Sequence, residues 1–428
     1  MKEANKLNKK TSKINLQRTS KMYNKERGIT LIALVITIII LIILATVTIT
    51  LVFGEGGLIQ RAQEGKTLTE QAQKDEQDEL KGAEEFINGV LAGTTNPPEE
   101  STPIEEAKPN PNEDGPKFED TTRITDDLDN EVTIPGGFHL DKDSGTKVEE
   151  GIVIEDDSGN QFVWVPVGEY NVSTTINSTG KLTNELSRRT FTESGSTLVS
   201  GDDAIAGDEV EEYNEYFYGE ENENSVAKDQ IDFFKNSSTT NKGFYIGRYE
   251  AGTETERTAR NNPLTIPLVQ ADKYPYIWVK RNQAKEQAEA MYSENEFVTS
   301  ELISSYAWDT ALNFVCQTNE EGYLLATTTD SAHGNIGTSY SDDINRTKTG
   351  EYEADNYSNI HDLLGNCTEW TTEYSSYFYG SNVITCVYRG GTYHTSARYS
   401  SFRNSTGTAN DSKSLSFRLQ LYINPESW

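Results

Sequence analysis

From Ile29 to Phe53 the chain reads ITLIALVITIIILIILATVTITLVF, without one charged residue. At about 1.5 Å per residue a helix of that length crosses the roughly 30 Å hydrocarbon core of a bilayer. The run exceeds the apolar region of a secretory signal peptide, about 7–15 residues, and lacks its small-residue cleavage site, so a retained membrane helix is expected. Residues 1–28 are basic (Lys2, Lys6, Lys9, Lys10, Lys13, Arg18, Lys21, Lys25, Arg27), opposed only by Glu3 and Glu26. By the positive-inside rule they stay in the cytoplasm, and everything after about residue 54 lies outside the cell membrane.

The exported part is strongly acidic, since the whole chain carries a formal charge of −30 despite its basic start. That excludes nucleic acid as a partner, because displacing counterions from phosphates needs clustered Lys and Arg. Three cysteines, Cys316, Cys367 and Cys386, are too few for a disulfide framework in 428 residues. Buried, reduced thiols are the ordinary reading, and Cys367 with Cys386 is the one pair worth testing for a bond.

Residues 54–92 are rich in Ala, Gln, Glu, Lys and Leu and read as a helical stalk with a thin apolar stripe at Leu80, Ala83, Ile87 and Val90. Residues 93–131 concentrate Pro, Glu, Asn and Thr and read as a disordered linker. From 132 to 424 short apolar runs alternate with Gly, Asn and Asp turns, as in Phe162-Val163-Trp164-Val165 and Phe244-Tyr245-Ile246, and read as half-buried strands. Helical faces follow at Ala284, Ala288 and Met291, and at Trp308, Leu312 and Val315. An α+β head is therefore expected, interrupted by a polar, acidic insertion at 170–242 that reads as solvated loop.

Around the membrane run, Lys25-Glu26-Arg27-Gly28-Ile29-Thr30-Leu31-Ile32-Ala33-Leu34 resembles the type III signal of type IV prepilins and pseudopilins. The resemblance implies that a prepilin peptidase cuts between Gly28 and Ile29, that Ile29 is methylated, and that other pilins are partners. Ala33 stands where that family has a Glu that meets a neighbouring subunit's amino terminus, which puts incorporation into a pilus shaft in doubt. A plain signal anchor is the alternative.

In the head, FVWVPVG, GFYIGRYEAG, YPYIWVKRNQAKEQA, LISSYAWDTALNF, NIHDLLGNCTEWTTEY, VYRGGTY and SFRL resemble, in order, the blocks of the formylglycine-generating-enzyme (sulfatase-modifying factor) family. The resemblance implies a C-type-lectin-like fold. Where catalytic members carry two cysteines after the Arg-Gly-Gly block, this chain has Thr395 and Ser400, so no catalytic residue is assigned and neither copper nor iron is expected. His139, His333, His361 and His394 are too scattered for the three-histidine iron site of related enzymes. An extracellular metal-dependent oxidoreductase is the alternative function.

The same resemblance implies Ca²⁺ at Asn366 and Glu369. The competing reading is that Asn366 caps a turn and Glu369 pairs with an arginine. The Tyr-, Ser- and Arg-rich stretch 388–410 corresponds to the ligand surface of lectin-fold variable proteins. It makes Tyr393, His394, Tyr399, Phe402 and Arg403 candidate ligand-binding residues for a protein or glycan on an external surface. Its competing reading is a Ser/Thr-rich surface loop. Gly365, Gly390 and Gly391 suit positions of positive φ or close backbone approach. The expected function is a non-enzymatic surface adhesin or binding protein, or a minor pilin.

Overall fold

The computed structural model describes residues 101–200, 205–206, 212–214, 228–337, 346–375, 378–379, 382–383, 386–394, 398–407 and 410–425. The leader 1–28 with its Gly28–Ile29 junction, the membrane run 29–53 and the stalk 54–92 lie outside them. Among the described residues no helix is long and apolar enough to cross a membrane.

In chain order the strands used below are β1 (Thr102–Pro103), β2 (Thr122–Thr125), β3 (Glu131–Ile134), β4 (Phe138–Leu140), β5 (Val153–Asp156), β6 (Gln161–Pro166), β7 (Ile205–Ala206) and β8 (Glu212–Asn214). They continue as β9 (Gly243–Gly247), β10 (Val298–Leu302), β11 (Thr368–Ser375), β12 (Cys386–Arg389), β13 (Arg403–Thr406), β14 (Leu415–Phe417) and β15 (Leu419–Ile423). The helices are α1 (Lys228–Thr240), α2 (Arg281–Ala290) and α3 (Ser305–Thr318). The protein is α+β.

One six-stranded antiparallel sheet runs β10-β15-β9-β6-β5-β4. Its centre explains the apolar runs. Successive strand residues point to opposite faces, and Phe162, Val163, Trp164 and Val165 are all buried, so both faces of β6 are covered. Trp164 sits opposite Tyr245 of β9, their rings edge-on with centroids 5.0 Å apart. A second six-stranded sheet runs β7-β8-β11-β12-β13, with β14 parallel to β11.

Helix α3 packs on β6 and is capped by Ser304, whose side chain accepts the Ala307 N–H at 3.2 Å. Trp308, Leu312 and Val315 are buried as their spacing predicts, but so is nearly the whole helix from Ser305 to Cys316. A helix enclosed on every side must satisfy its polar residues internally. Asn313 donates to Asn184 Oδ1 at 2.9 Å and accepts from Ser196 Oγ at 2.7 Å.

Those two partners lie in the 170–242 insertion, which corrects its reading as solvated loop. Asn184, Arg188, Phe234 and Ser238 are each fully buried, and α1 lies against β9 and β15. Polar composition misleads here because Asn184 and Ser196 find partners on α3 and Arg188 pairs with Glu373 of β11. Two short pieces of the acidic run, β7 and β8, extend the second sheet.

The linker reading of 93–131 is corrected as well, from residue 101 onward. Strand β1 pairs in parallel with β2, and Ile104, Ala107 and Ile124 are buried. Few apolar anchors suffice because the edge strand β4 supplies backbone partners: Gly115 N–H donates to Leu140 O at 2.8 Å and Phe118 N–H to Phe138 O at 2.9 Å. Cys316, Cys367 and Cys386 are buried and outside any disulfide, so Cys367 and Cys386 are not bonded to each other.

Candidate ligand-binding site

Beneath the 388–410 stretch lies a buried ionic lattice. Asp309 of α3 ion-pairs with Arg389 of β12 at 2.6 Å and with Arg403 of β13, and accepts the Arg189 backbone N–H at 2.7 Å. Glu373 of β11 takes Arg403 at 3.1 Å, Arg389 at 3.6 Å and Arg188 at 4.0 Å. Burial works against the Asp309 carboxylate, but Arg389 and Arg403 overcome it and hold its pKa below the usual carboxylate value. Burial and the adjacent Arg403 lower Arg389, whereas Asp309 and Glu373 outweigh burial at Arg403 and raise it.

This placement corrects the assignment of Arg403 as a ligand contact: its side chain is only 6% exposed and fully engaged in the lattice. Tyr393 is also buried, donating its backbone N–H to Asn366 O at 2.9 Å. His394, Tyr399 and Phe402 remain half-exposed. His394 stacks on Tyr393 with centroids 5.0 Å apart, and Tyr399 meets Phe402 edge-on at 5.8 Å.

Arg398, which the sequence reading left out, links these groups. Its guanidinium lies over Tyr388 at 5.4 Å and Phe402 at 5.5 Å. With His394, Arg398 and Tyr388 on one side and Thr406, Asn410, Asp411 and Ser414 on the other, an open cavity of about 340 Å³ forms across β12 and β13. Asp411 is held by Arg260 at 3.2 Å. A guanidinium, an imidazole, a carboxylate, an amide, hydroxyls and an aromatic edge thus converge on one polar hollow. No local signal in the sequence marks Arg398, because Thr392, Tyr393, Ser400 and Ser401 in the same connecting segment are buried while Arg398 is half-exposed.

Thr395 lies outside the described residues. Ser400 is buried and donates its hydroxyl to Leu325 O at 2.7 Å, and Ser401 donates to Ala326 O at 2.6 Å, so this turn is stitched to a segment 75 residues upstream. Burial pushes the Cys316 thiol up to about 12 and Cys367 well above its ordinary value, the opposite of an activated thiolate.

Asn366 and Glu369 are fully buried. Arg418 grips both oxygens of Glu369, at 2.8 and 3.1 Å. Asn366 has φ +58°, accepts the Thr347 N–H at 3.0 Å and donates to Glu250. This is the turn-and-arginine arrangement of the competing reading. Ca²⁺ wants about six to eight oxygens, and an ion on Glu369 would face a guanidinium, so this pair does not fit a calcium cage.

Beside it Glu250, Asp355 and Asp362 each bury one oxygen without a hydrogen-bond partner. Burial raises all three, Glu250 and Asp355 well above the usual range and Asp362 to about 6. The glycines of this turn behave as their positions suggest. A Cβ on Gly365 would come within 2.7 Å of Asn335 O, and Gly390 has φ +85°.

No protein-family profile matches the chain, and no curated protein does. Among solved structures, CarF aligns at 14% identity over 43% of this chain and 87% of its own, with a TM-score of 0.30. Treponema denticola variable protein 1 aligns at 14% identity over 42% and 84%, with a TM-score of 0.28. PvdO from Pseudomonas aeruginosa aligns at 12% identity over 63% and 97%, with a TM-score of 0.31, and to each of these proteins the chain is similar only remotely.

Proposed function

We propose that this chain is a membrane-anchored surface protein whose head, of the C-type-lectin-like formylglycine-generating-enzyme type, binds an external protein or glycan through the hollow bounded by Tyr388, His394, Arg398 and Asn410. The observation that carries this reading is the contrast between floor and rim. Four buried charges, Asp309, Glu373, Arg389 and Arg403, tie β11, β12, β13 and α3 together. Above them His394 and Arg398 stay partly exposed and converge on the cavity. A rigid floor lowers the ordering cost of binding, and Arg and Tyr commonly dominate binding energy.

The anchor is the Ile29–Phe53 helix, processed like a prepilin at Gly28–Ile29 and facing the cytoplasm with its basic leader. Thiol-based catalysis is disfavoured because Ser400, at a family cysteine position, spends its hydroxyl on the Leu325 carbonyl.

The test uses the full chain in nanodiscs, probed against a glycan panel and intact cells. Arg398→Ala with His394→Ala is expected to weaken attachment at least about tenfold, since each truncation at a desolvated contact costs roughly 1–2 kcal/mol, with the melting temperature unchanged. Normal attachment by that double variant, or copper-dependent oxidation of a cysteine peptide by the purified chain, overturns the proposal.

A further inference from the structure

Strands β4 and β5 pair antiparallel with His139 directly opposite Glu155, and His139 Nε2 lies 3.8 Å from Glu155 Oε1. The segment around Gly115 and Phe118 bonds to the free edge of β4 and brings Asp114 to the same spot. One ligand atom each from Asp114, His139 and Glu155 falls within 4.8 Å of the others. The group is distinct from the hollow described above, sharing no residue with it.

The remaining atoms are already held. Glu155 accepts Gln161 Nε2 at 2.6 Å, and Asp114 Oδ1 accepts the Lys142 N–H at 2.9 Å. Among the described residues no Lys or Arg ion-pairs with either carboxylate. The nearby Lys108 ammonium is spent on the carbonyls of Asp141 and Lys142, both at 2.7 Å. One oxygen of each carboxylate is thus steadied by a neighbour, as in metal sites whose ligands are held by outer hydrogen bonds.

We propose that Asp114, His139 and Glu155 form a binding site for a divalent transition-metal ion of the zinc class, which clips the segment before Phe118 onto the edge of the main sheet. One imidazole and two carboxylates with an open fourth position suit Zn²⁺. Tetrahedral bonds of about 2.0–2.1 Å separate ligand atoms by about 3.4 Å, so side-chain rotations of a few tenths of an ångström to about 1 Å close the site. Ca²⁺ prefers six or more oxygens and gains little from the imidazole. The segment carrying Asp114 joins the buried Ile104 and Ala107 to the edge of the main sheet, so the ion sets how firmly this part of the head is held on that edge.

The experiment is calorimetric titration of the full chain in detergent with Zn²⁺, with Co²⁺ absorption as the geometric readout and Ca²⁺ as comparison. One Zn²⁺ equivalent is expected, lost or weakened at least about tenfold in His139→Gln and in Asp114→Asn. Hydrogen exchange at Gly115 and Phe118 should slow with Zn²⁺ in the wild type and not in either variant. Circular dichroism checks that both variants fold. Unchanged Zn²⁺ binding in His139→Gln, Ca²⁺ binding as tight as Zn²⁺, or exchange at Gly115 indifferent to Zn²⁺ overturns the proposal.

Discussion

Replacing Asp309 with Ala removes the hub of the ionic lattice. Wild-type Asp309 and Glu373 face Arg188, Arg389 and Arg403, and every one of these side chains is at most 6% exposed. Without Asp309 one carboxylate faces three guanidiniums. Breaking a buried pair by deleting one partner costs about 3–5 kcal/mol, because the surviving charge stays buried and unmatched. The Arg189 backbone N–H also loses its acceptor, a further penalty of about 1–3 kcal/mol unless water enters.

The expected loss is therefore at least about 4 kcal/mol, which lowers the melting temperature by roughly 8 °C or more at about 2–4 °C per kcal/mol. Urea denaturation of the full chain, followed by tryptophan fluorescence, reads it directly, since Trp308 lies on the same helix one residue away. Asp309→Asn, which keeps an acceptor for Arg189, should fall between. The exposed pair Lys117–Asp157 is the control, and Asp157→Asn should leave the midpoint where it was. A loss below about 1 kcal/mol in Asp309→Ala would refute the claim that these charges hold the floor of the site.

Two further outcomes are expected. Burial raises Glu301 to about 7 despite hydrogen bonds from Tyr422 and Gln420. The native state thus keeps a proton that the unfolded chain sheds near its ordinary 4.5, and stability falls as pH rises from 4.5 to about 7, on the order of 3 kcal/mol in all. His361, lowered to about 3 by burial and by Arg248 and Arg418, acts oppositely, losing stability as pH falls from 6.5. The measurement is consequently the difference between wild type and Glu301→Gln, whose urea midpoints should diverge progressively from pH 4.5 to 7; parallel curves would refute it. For the anchor, mass spectrometry of protein from native membranes should find N-methylated Ile29 as the first residue, and an intact Met1 in cells with an active prepilin peptidase removes the pilin reading.

What the sequence disclosed about the head depended on whether a residue's partner lay nearby in the chain. The Trp308, Leu312, Val315 face announced a buried helix by local periodicity alone, the Phe162–Val165 run announced a strand but a half-buried one where both faces are in fact covered, and Gly365 and Gly390 marked tight backbone sites. The failures share a different cause. Arg403 looked like a surface contact and the 170–242 stretch like solvent-facing loop because each is polar. Their burial rests on ion pairs and hydrogen bonds to α3, 94 residues from Arg403 and 129 from Asn184.

The linker reading failed for the same reason, since β4 supplies its backbone partners from beyond the Pro-rich segment. Arg398 escaped notice because Ser400 and Ser401 in the same connecting segment are buried, so no local pattern marks its exposure. In a head that buries this much charge, composition therefore reports solubility poorly. A buried polar residue that is paired from afar holds the scaffold, and the polar groups that reach the surface, His394 and Arg398 at the hollow and Asp114, His139 and Glu155 on the sheet edge, are where binding is to be sought.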